Sequence, residues 1–193
     1  MSRSPSNWPF DVRRIPFFYG WVIWLVSTLG FLFSIPGQTM GMAVYTDHLM
    51  AALDLSRTQL SMAYLIGTVG SSLFLVRAGR WFDLLGGRLM VTIASIVLAV
   101  MLIYISNVGQ LMKVIGGGST AGFLLIMLGY FGIRFFGQGV LTSASRNVLL
   151  LWFERHRGLV SSARGVFVSL GFSLAPLGLA WLIIQFGWRA SMW

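Results

Sequence analysis

The strongest constraint on this chain is a series of long runs that contain no Asp, Glu, Lys or Arg. Three of these runs cover residues 15–46, 58–76 and 89–112. The hydrocarbon core of a bilayer is about 30 Å thick, and a helix needs roughly 20 apolar residues to cross it. Helices are the expected structure, because backbone groups in lipid must pair within their own segment. The alternating polarity that membrane β-strands show over about ten residues is missing from these runs.

The composition also indicates a protein that is surrounded largely by lipid. The 193-residue chain is 56% hydrophobic and only 10% charged, whereas an average soluble domain is about 25% charged. The formal net charge of +9 does not indicate nucleic-acid binding, because the basic residues form short clusters between the apolar runs. The chain has no cysteine, so disulfides are excluded. His48 and His156 are far apart in sequence, so we expect no metal site, and nothing indicates a cofactor.

The pattern predicts an all-α integral membrane protein with about five transmembrane helices. A polar segment at residues 1–17 precedes them, and an outer turn at residues 186–193 follows. Residues 15–46 form too long an uncharged run for a cleaved secretory signal. The predicted spans are residues 18–42, 58–78, 89–106, 120–142 and 158–185.

The distribution of basic residues between the spans predicts the orientation. Cytoplasmic loops of membrane proteins carry the excess of Lys and Arg. With residues 1–17 in the cytoplasm, nine basic residues fall on the inner side and three on the outer side. We therefore expect a cytoplasmic N-terminus in a plasma (inner) membrane. The inner set is Arg3, Arg13, Arg14, Arg77, Arg80, Arg88, Arg146, Arg155 and Arg157, and the outer set is Arg57, Lys113 and Arg189.

Small residues and prolines predict how the spans pack. Small residues spaced four apart, such as Gly37 and Gly41 or Ala63 and Gly67, let helix backbones approach closely in lipid. Pro36 lies within the first predicted span and Pro176 within the fifth. Because proline removes a backbone donor, each should kink its helix.

The inner loop at residues 79–88 carries the most specific motif. Gly79, Asp83, Gly86 and Arg88 resemble the loop between helices 2 and 3 of the major facilitator superfamily of transporters. Gly87 stands where that family usually has its first basic residue. By resemblance, the Asp of this turn helps to hold the first bundle of the transporter against the second. It would do so by accepting backbone donors at a helix N-terminus or by pairing with an Arg.

Three further segments agree with the resemblance. Residues 134–139 look like the family's intramembrane Arg–Gly pattern, 152–158 like its inner loop before helix 5, and 187–189 like the outer turn that opens helix 6. Residues 19–22 and 152–165 are most similar to the monocarboxylate and oxalate/formate transporter branch.

The resemblance implies a function. Members of the superfamily have two six-helix bundles with the substrate between them. We expect transport of a small organic anion, monocarboxylate-like, by alternating access and with or without protons. Partners would be the bilayer, the anion and a second bundle, without nucleic acid. The alternative is a non-transporting membrane interaction subunit or half of a split transporter. No catalytic set is visible, so an enzyme is not expected.

The same resemblance places the chain within the family fold. The five helices would form an incomplete N-terminal six-helix bundle, since the sequence given stops at Trp193 where helix 6 should begin. We therefore expect a fragment, a truncated frame or a split subunit that is inactive alone.

Arg134 is the sharpest candidate site residue. A charge within a span costs roughly 3 kcal/mol on insertion scales and usually faces a cavity or a partner. Gln138 follows one turn later on the same helix face. Together they could bind a carboxylate, because guanidinium forms bidentate pairs with it. The structural alternative is that Arg134 snorkels inward or bonds to carbonyls of the first helix.

Other polar residues within the spans have weaker signals. Gln38 and Thr39 follow the Pro36 kink, where they could line a pore or simply end a helix. Tyr64 is interpreted as a packing residue. We expect Arg164 to snorkel to the inner interface rather than bind an anion, because it lies about 9 Å from the start of its helix.

Overall fold

A computed structural model describes residues 18–153 and 156–193, and every regular element in these two ranges is helical. The all-α class predicted from the sequence is therefore confirmed. The predicted cytoplasmic segment at residues 1–17 lies outside the described residues. Residues 154 and 155, which precede the last long helix, also lie outside the described residues.

The first predicted span is not one helix but three short pieces. Helix α1 covers Gly20–Leu32, a 3₁₀ turn covers Ile35–Gly37, and α2 covers Thr39–Ala43. Pro36 lies at the start of the 3₁₀ turn, where its missing N–H is tolerated. Gln38 is extended, with φ −88° and ψ 156°, so the chain changes direction before α2. Helix α3, Thr46–Leu53, completes the connection to the next long helix.

Helix α4 covers Arg57–Ile115, 59 residues, which would span about 88 Å if straight. It begins at a capping box, in which Ser56 Oγ accepts from the Gln59 N–H and Gln59 Oε1 accepts from the Ser56 N–H. Gly86 interrupts its helical geometry with φ 79° and ψ 158°. Only glycine adopts such a conformation readily, so Gly86 separates two halves of 29 residues each.

The two halves of α4 run in opposite directions along the next helix, α5, which covers Gly118–Ile133. Along the first half, residue numbers rise together with those of the contacted residues in α5 and its continuation, so the two run parallel. Along the second half, residue numbers rise while those of the contacted residues fall, so the two run antiparallel. Gly86 is therefore the turn of a helical hairpin. The close pairs are Gly67 with Phe131, Leu75 with Gly139, Ile105 with Gly129, and Leu98 with Gly137.

Helix α5 continues without a break into a π-helical segment, Arg134–Leu141, and then into α6, Thr142–Trp152. π-helices bond i→i+5, are rare, and are frequently found at functional sites. Helix α7 covers Arg157–Phe186 with Pro176 inside it, and a 3₁₀ turn covers Ala190–Met192.

Four helical stretches in the described ranges are long and apolar enough to cross a membrane. The second of them contains both halves of α4, so the division into five spans stays a prediction. These stretches are Gly20–Gly37, Arg57–Ile115, Gly118–Trp152 and Arg157–Phe186.

The core lies between both halves of α4, α5 and the π-helical segment. Leu49, Ile105, Ile126 and Ile133 are fully buried there. Helix α7 is different, because only its side chains Val160 and Arg164 are buried and most of its large apolar residues are exposed. Such a face suits lipid or another membrane helix.

Candidate functional site

Arg134 begins the π-helical segment at a point where two backbones touch. Its Nη1 donates a hydrogen bond to the Gly37 carbonyl at 3.3 Å. A Cβ on Gly37 would lie 2.5 Å from the Ile133 carbonyl oxygen and 2.8 Å from the Gly137 Cα. Only glycine therefore allows the 3₁₀ turn to approach closely enough for Arg134 to reach that carbonyl.

Tyr64 connects Arg134 to the start of α2. The Arg134 guanidinium carbon lies 5.1 Å from the centre of the Tyr64 ring, within the range of a cation–π interaction. The Tyr64 hydroxyl shares a hydrogen bond of 2.8 Å with Thr39 Oγ1. Tyr130 packs edge-on against the same ring with centroids 5.1 Å apart. These contacts fix the guanidinium from one side.

A polar cavity of about 220 Å³ lies beside Arg134. A water takes about 30 Å³ in the liquid, so the cavity has room for several waters or one small carboxylate. Thr68 Oγ1 and Gln138 Oε1 are buried here and have no hydrogen-bond partner within the described structure. Buried polar atoms are normally paired. Thr68 and Gln138 both line the cavity, but these two atoms are shielded, so each side chain must rotate before the atom contacts a ligand or water. The lining consists of Thr68, Ser71, Ser72, Leu75, Arg134, Phe135, Gln138 and Gly139.

A second hollow of about 180 Å³ is lined in part by Thr39, Ser61, Tyr64 and Tyr130. Tyr64 therefore borders this hollow and also contacts the arginine that borders the polar cavity. The cavity and the hollow therefore lie next to each other along α4, on either side of Tyr64.

The structure brings together three of the four residues predicted for substrate or coupling. Arg134 and Gln138 line the polar cavity, and Thr39 joins them through Tyr64. Gln38 does not line it, because its Nε2 donates to Ser34 Oγ at 3.3 Å. The bond from Arg134 to a carbonyl after the first helix also matches the structural alternative. The substrate or coupling role stays a prediction.

Sequence reasoning did not identify Thr68, Ser71 or Ser72 as site residues. A signal was present, because Tyr64, Thr68 and Ser71 or Ser72 follow one another at the spacing of one helix face. A polar stripe on an otherwise apolar span is a better indication of a cavity than any of these residues alone.

The four residues of the inner-loop motif lie on both sides of the hairpin turn. Gly79 lines a hollow of about 450 Å³ with Arg146 and other residues of the π segment and α6. Asp83 is exposed in the last turn before Gly86, and Arg88 lines a separate hollow with Ser145. The gating role of this motif stays a prediction.

Arg164 does not extend to a polar surface as the sequence suggested. Its side chain is only 8% exposed. Its guanidinium carbon lies 5.0 Å from the centre of the Phe31 ring. The expected snorkelling position is therefore wrong, because the side chain lies between α1 and α7.

Comparison with known proteins gives one match. The family described as Major Facilitator Superfamily matches residues 26–193. No curated protein and no solved structure matches the chain. Within residues 18–153 and 156–193, no cluster of three His, Cys, Asp or Glu side chains could hold a metal.

Proposed function

Because the chain belongs to the major facilitator superfamily, we propose that it forms the part of a membrane transporter that binds a small organic anion. The observation that carries this proposal is the cavity beside Arg134. It combines a guanidinium held by Gly37 and Tyr64 with the polar side chains of Thr68, Ser71, Ser72 and Gln138 in its lining.

The chemistry of the cavity favours a monocarboxylate. A guanidinium presents five N–H donors in a planar fork that matches a carboxylate. Only one bond from Arg134 to the protein is described, so donors remain for a ligand. The volume of about 220 Å³ suits a small anion, and Thr68 and Gln138 place a hydroxyl and an amide group in the lining.

The protein holds the Arg134 guanidinium in position before an anion binds. Gly37 and Tyr64 hold the guanidinium in place when the cavity is empty, so little side-chain entropy is lost on binding. Cotransport of a proton belongs to the proposal, because an anion that moves with a proton carries no net charge across the membrane potential.

A second bundle completes the proposed cavity. In transporters of this fold, the substrate binds near the bilayer midplane between the two halves. On the first half of α4 the side chains of Leu65, Val69, Leu73 and Val76 are exposed, which leaves room for another membrane segment beside this helix. We place the protein in the plasma (inner) membrane with its N-terminus in the cytoplasm, following the distribution of basic residues.

The test is Arg134→Ala introduced into the natural gene, so that the protein is made with whatever partner it normally has. Saturable uptake of radiolabelled lactate that depends on the gene should be lost, while the amount of protein in the membrane stays the same. Arg157→Ala is the matched control, because it removes an exposed arginine from the inner end of α7. Normal uptake in the Arg134→Ala strain would refute the proposed role of this residue.

The same experiment separates the transporter from the interaction subunit. An interaction subunit that does not bind the anion predicts lactate uptake in the Arg134→Ala strain equal to that of the wild type, even where deletion of the whole gene lowers it. That outcome would overturn the proposed function as a whole.

A further inference from the structure

The hollow of about 450 Å³ that Gly79 and Arg146 line, called here the inner hollow, has one face of α6 as its polar wall. Ser143, Arg146, Asn147 and Leu150 line it, and their spacing is that of a single helix face. The first three present a hydroxyl, a guanidinium and an amide, and all three residues are exposed. Charged groups on a membrane helix usually face a cavity or a partner, so this face is suited to a polar ligand.

Helix α4 forms the opposite wall of the inner hollow. A Cβ on Gly79 would meet nothing within 4 Å, so the missing side chain adds to the open space and does not serve a close contact. Phe82 and Met90 lie four residues before and four residues after the Gly86 turn, and both line the hollow. The inner hollow therefore lies at the turn end of the hairpin, which the distribution of basic residues assigns to the cytoplasm.

The inner hollow adjoins the polar cavity of Arg134. Leu75 lines both spaces. Gly139 lines the cavity, and the next residue, Val140, lines the inner hollow. A Cβ on Gly139 would lie 3.0 Å from Leu75 Cδ1, so α4 and the π-helical segment are in contact at this point. The Leu75 side chain therefore lies between the two spaces.

The charges around the inner hollow favour an anion. Arg77 and Arg80 lie directly before and after the two small residues of α4 that line it. Asp83 is the one acidic residue of α4 and is exposed near the turn. In the described structure no ion pair joins it to Arg146; the ion pair found there joins Arg57 and Asp47. Positive charge at the wall of a cleft raises the local concentration of anions.

We propose that the inner hollow is a second binding site for the small carboxylate, between the Arg134 cavity and the cytoplasm. The inference rests on the proposed function, since the ligand is the same anion. The Arg146 guanidinium pairs with the carboxylate through its planar fork, and Ser143 and Asn147 donate further hydrogen bonds. Because ion pairs between exposed groups are weak, the anion binds less tightly here than beside Arg134, which suits a site of release.

The probe is lactate, whose weak binding is measured by saturation-transfer NMR. The protein is made from its natural gene with whatever partner it normally has, and is placed in nanodiscs of neutral phosphatidylcholine. Arg134→Gln removes the contribution of the first cavity, and we expect this protein still to transfer saturation to lactate. Adding Arg146→Gln should lower the remaining affinity by about tenfold, as expected for the loss of a hydrogen bond to a charged group. Arg157→Gln is the matched control, because this exposed arginine does not line the inner hollow.

Two further variants of the Arg134→Gln protein locate the bound lactate. Gly79→Leu keeps every charge but places a side chain in the open space of the inner hollow, so it should abolish the remaining signal. Leu150→Cys introduces a thiol into the lining, and lactate should slow its reaction with a maleimide. Leu84→Cys, which is 82% exposed at the hairpin turn, should react at the same rate with and without lactate. Size-exclusion profiles confirm that each variant is folded.

The outcomes separate this inference from the proposed function. A lactate signal in the unsubstituted protein that vanishes in the Arg134→Gln protein would overturn the second site and leave the first intact. Equal affinity with and without Arg146→Gln would overturn the second site as well. Protection of Leu150→Cys by nanodiscs that contain anionic phospholipid, but not by lactate, would assign the inner hollow to lipid headgroups. Normal uptake in the Arg134→Ala strain, with the signal that depends on Arg146 preserved, would instead refute the proposed function and leave a carboxylate site in the inner hollow.

Discussion

Tyr64 makes two different contacts in the polar site, and they can be separated by substitution. Tyr64→Phe removes the hydroxyl that bonds to Thr39 but keeps the ring beside Arg134. Tyr64→Leu removes both. We expect Tyr64→Phe to cost about 1 kcal/mol of substrate binding, in line with one hydrogen bond, and Tyr64→Leu to cost more. The concentration dependence of lactate uptake measures both effects. Equal loss in the two variants would mean that the ring does not hold the guanidinium.

The contact between Gly37 and Gly137 makes a prediction about stability. Gly37→Ala places a methyl group against the Ile133 carbonyl and the Gly137 backbone. Because backbone cannot move aside cheaply, we expect a loss of about 1–3 kcal/mol, typical of overpacking. Thermal unfolding of the protein in detergent measures it. Gly165→Ala is the control, since a Cβ at that position meets nothing within 4 Å. Equal stability of the two variants would contradict the close approach.

At the level of elements, Gly86 determines whether α4 is a hairpin. Its φ of 79° lies in a region that other residues rarely adopt, so Gly86→Ala should cost about 1–3 kcal/mol. Gly178→Ala is the matched control, because it is helical and a Cβ there meets nothing within 4 Å. Thermal unfolding in detergent compares the two variants. A stability of Gly86→Ala equal to that of Gly178→Ala would show that the turn tolerates a side chain.

Some elements follow from the sequence and others do not. Long apolar runs indicate membrane helices because backbone pairing in lipid leaves few alternatives, and Pro36 indicated where the first helix is interrupted. The π-helical segment at residues 134–141 could not be predicted. Apolar periodicity does not distinguish i→i+4 from i→i+5 bonding, and the contact with Gly37 that accompanies this segment comes from a distant part of the chain.

The candidate site was also predictable only in part: its charged and amide residues were identified from the sequence, and its hydroxyl residues were not. Arg134 is conspicuous in the sequence because a charge in an apolar run is costly, and Gln138 follows from helical spacing. Hydroxyl residues are harder to interpret, since in a helix they often bond to their own backbone. Ser71 does so with the Thr68 carbonyl at 2.8 Å, whereas the Thr68 hydroxyl is unpaired in the described structure. Only the structure separates the two.

For the whole molecule, the predicted orientation can be tested without altering a native thiol, because the chain contains no cysteine. Leu84 and Val114 are 82% and 87% exposed, at the hairpin turn of α4 and near its end. We expect Val114→Cys to react with a membrane-impermeant thiol reagent in intact cells, and Leu84→Cys only after permeabilisation. The unsubstituted protein should not react. The opposite pattern would place the N-terminus outside.

The π-helical segment between α5 and α6 separates two arginines that line different hollows. Arg134 lies at its first residue and Arg146 lies beyond its last. Each residue gained or lost in the winding of this segment rotates everything that follows by about 100° around the helix axis. A change of hydrogen-bond register here would therefore turn Arg146 away from the hollow that it lines with Gly79 while α5 stays in place. The winding of these eight residues therefore sets the direction in which Arg146 points relative to Arg134.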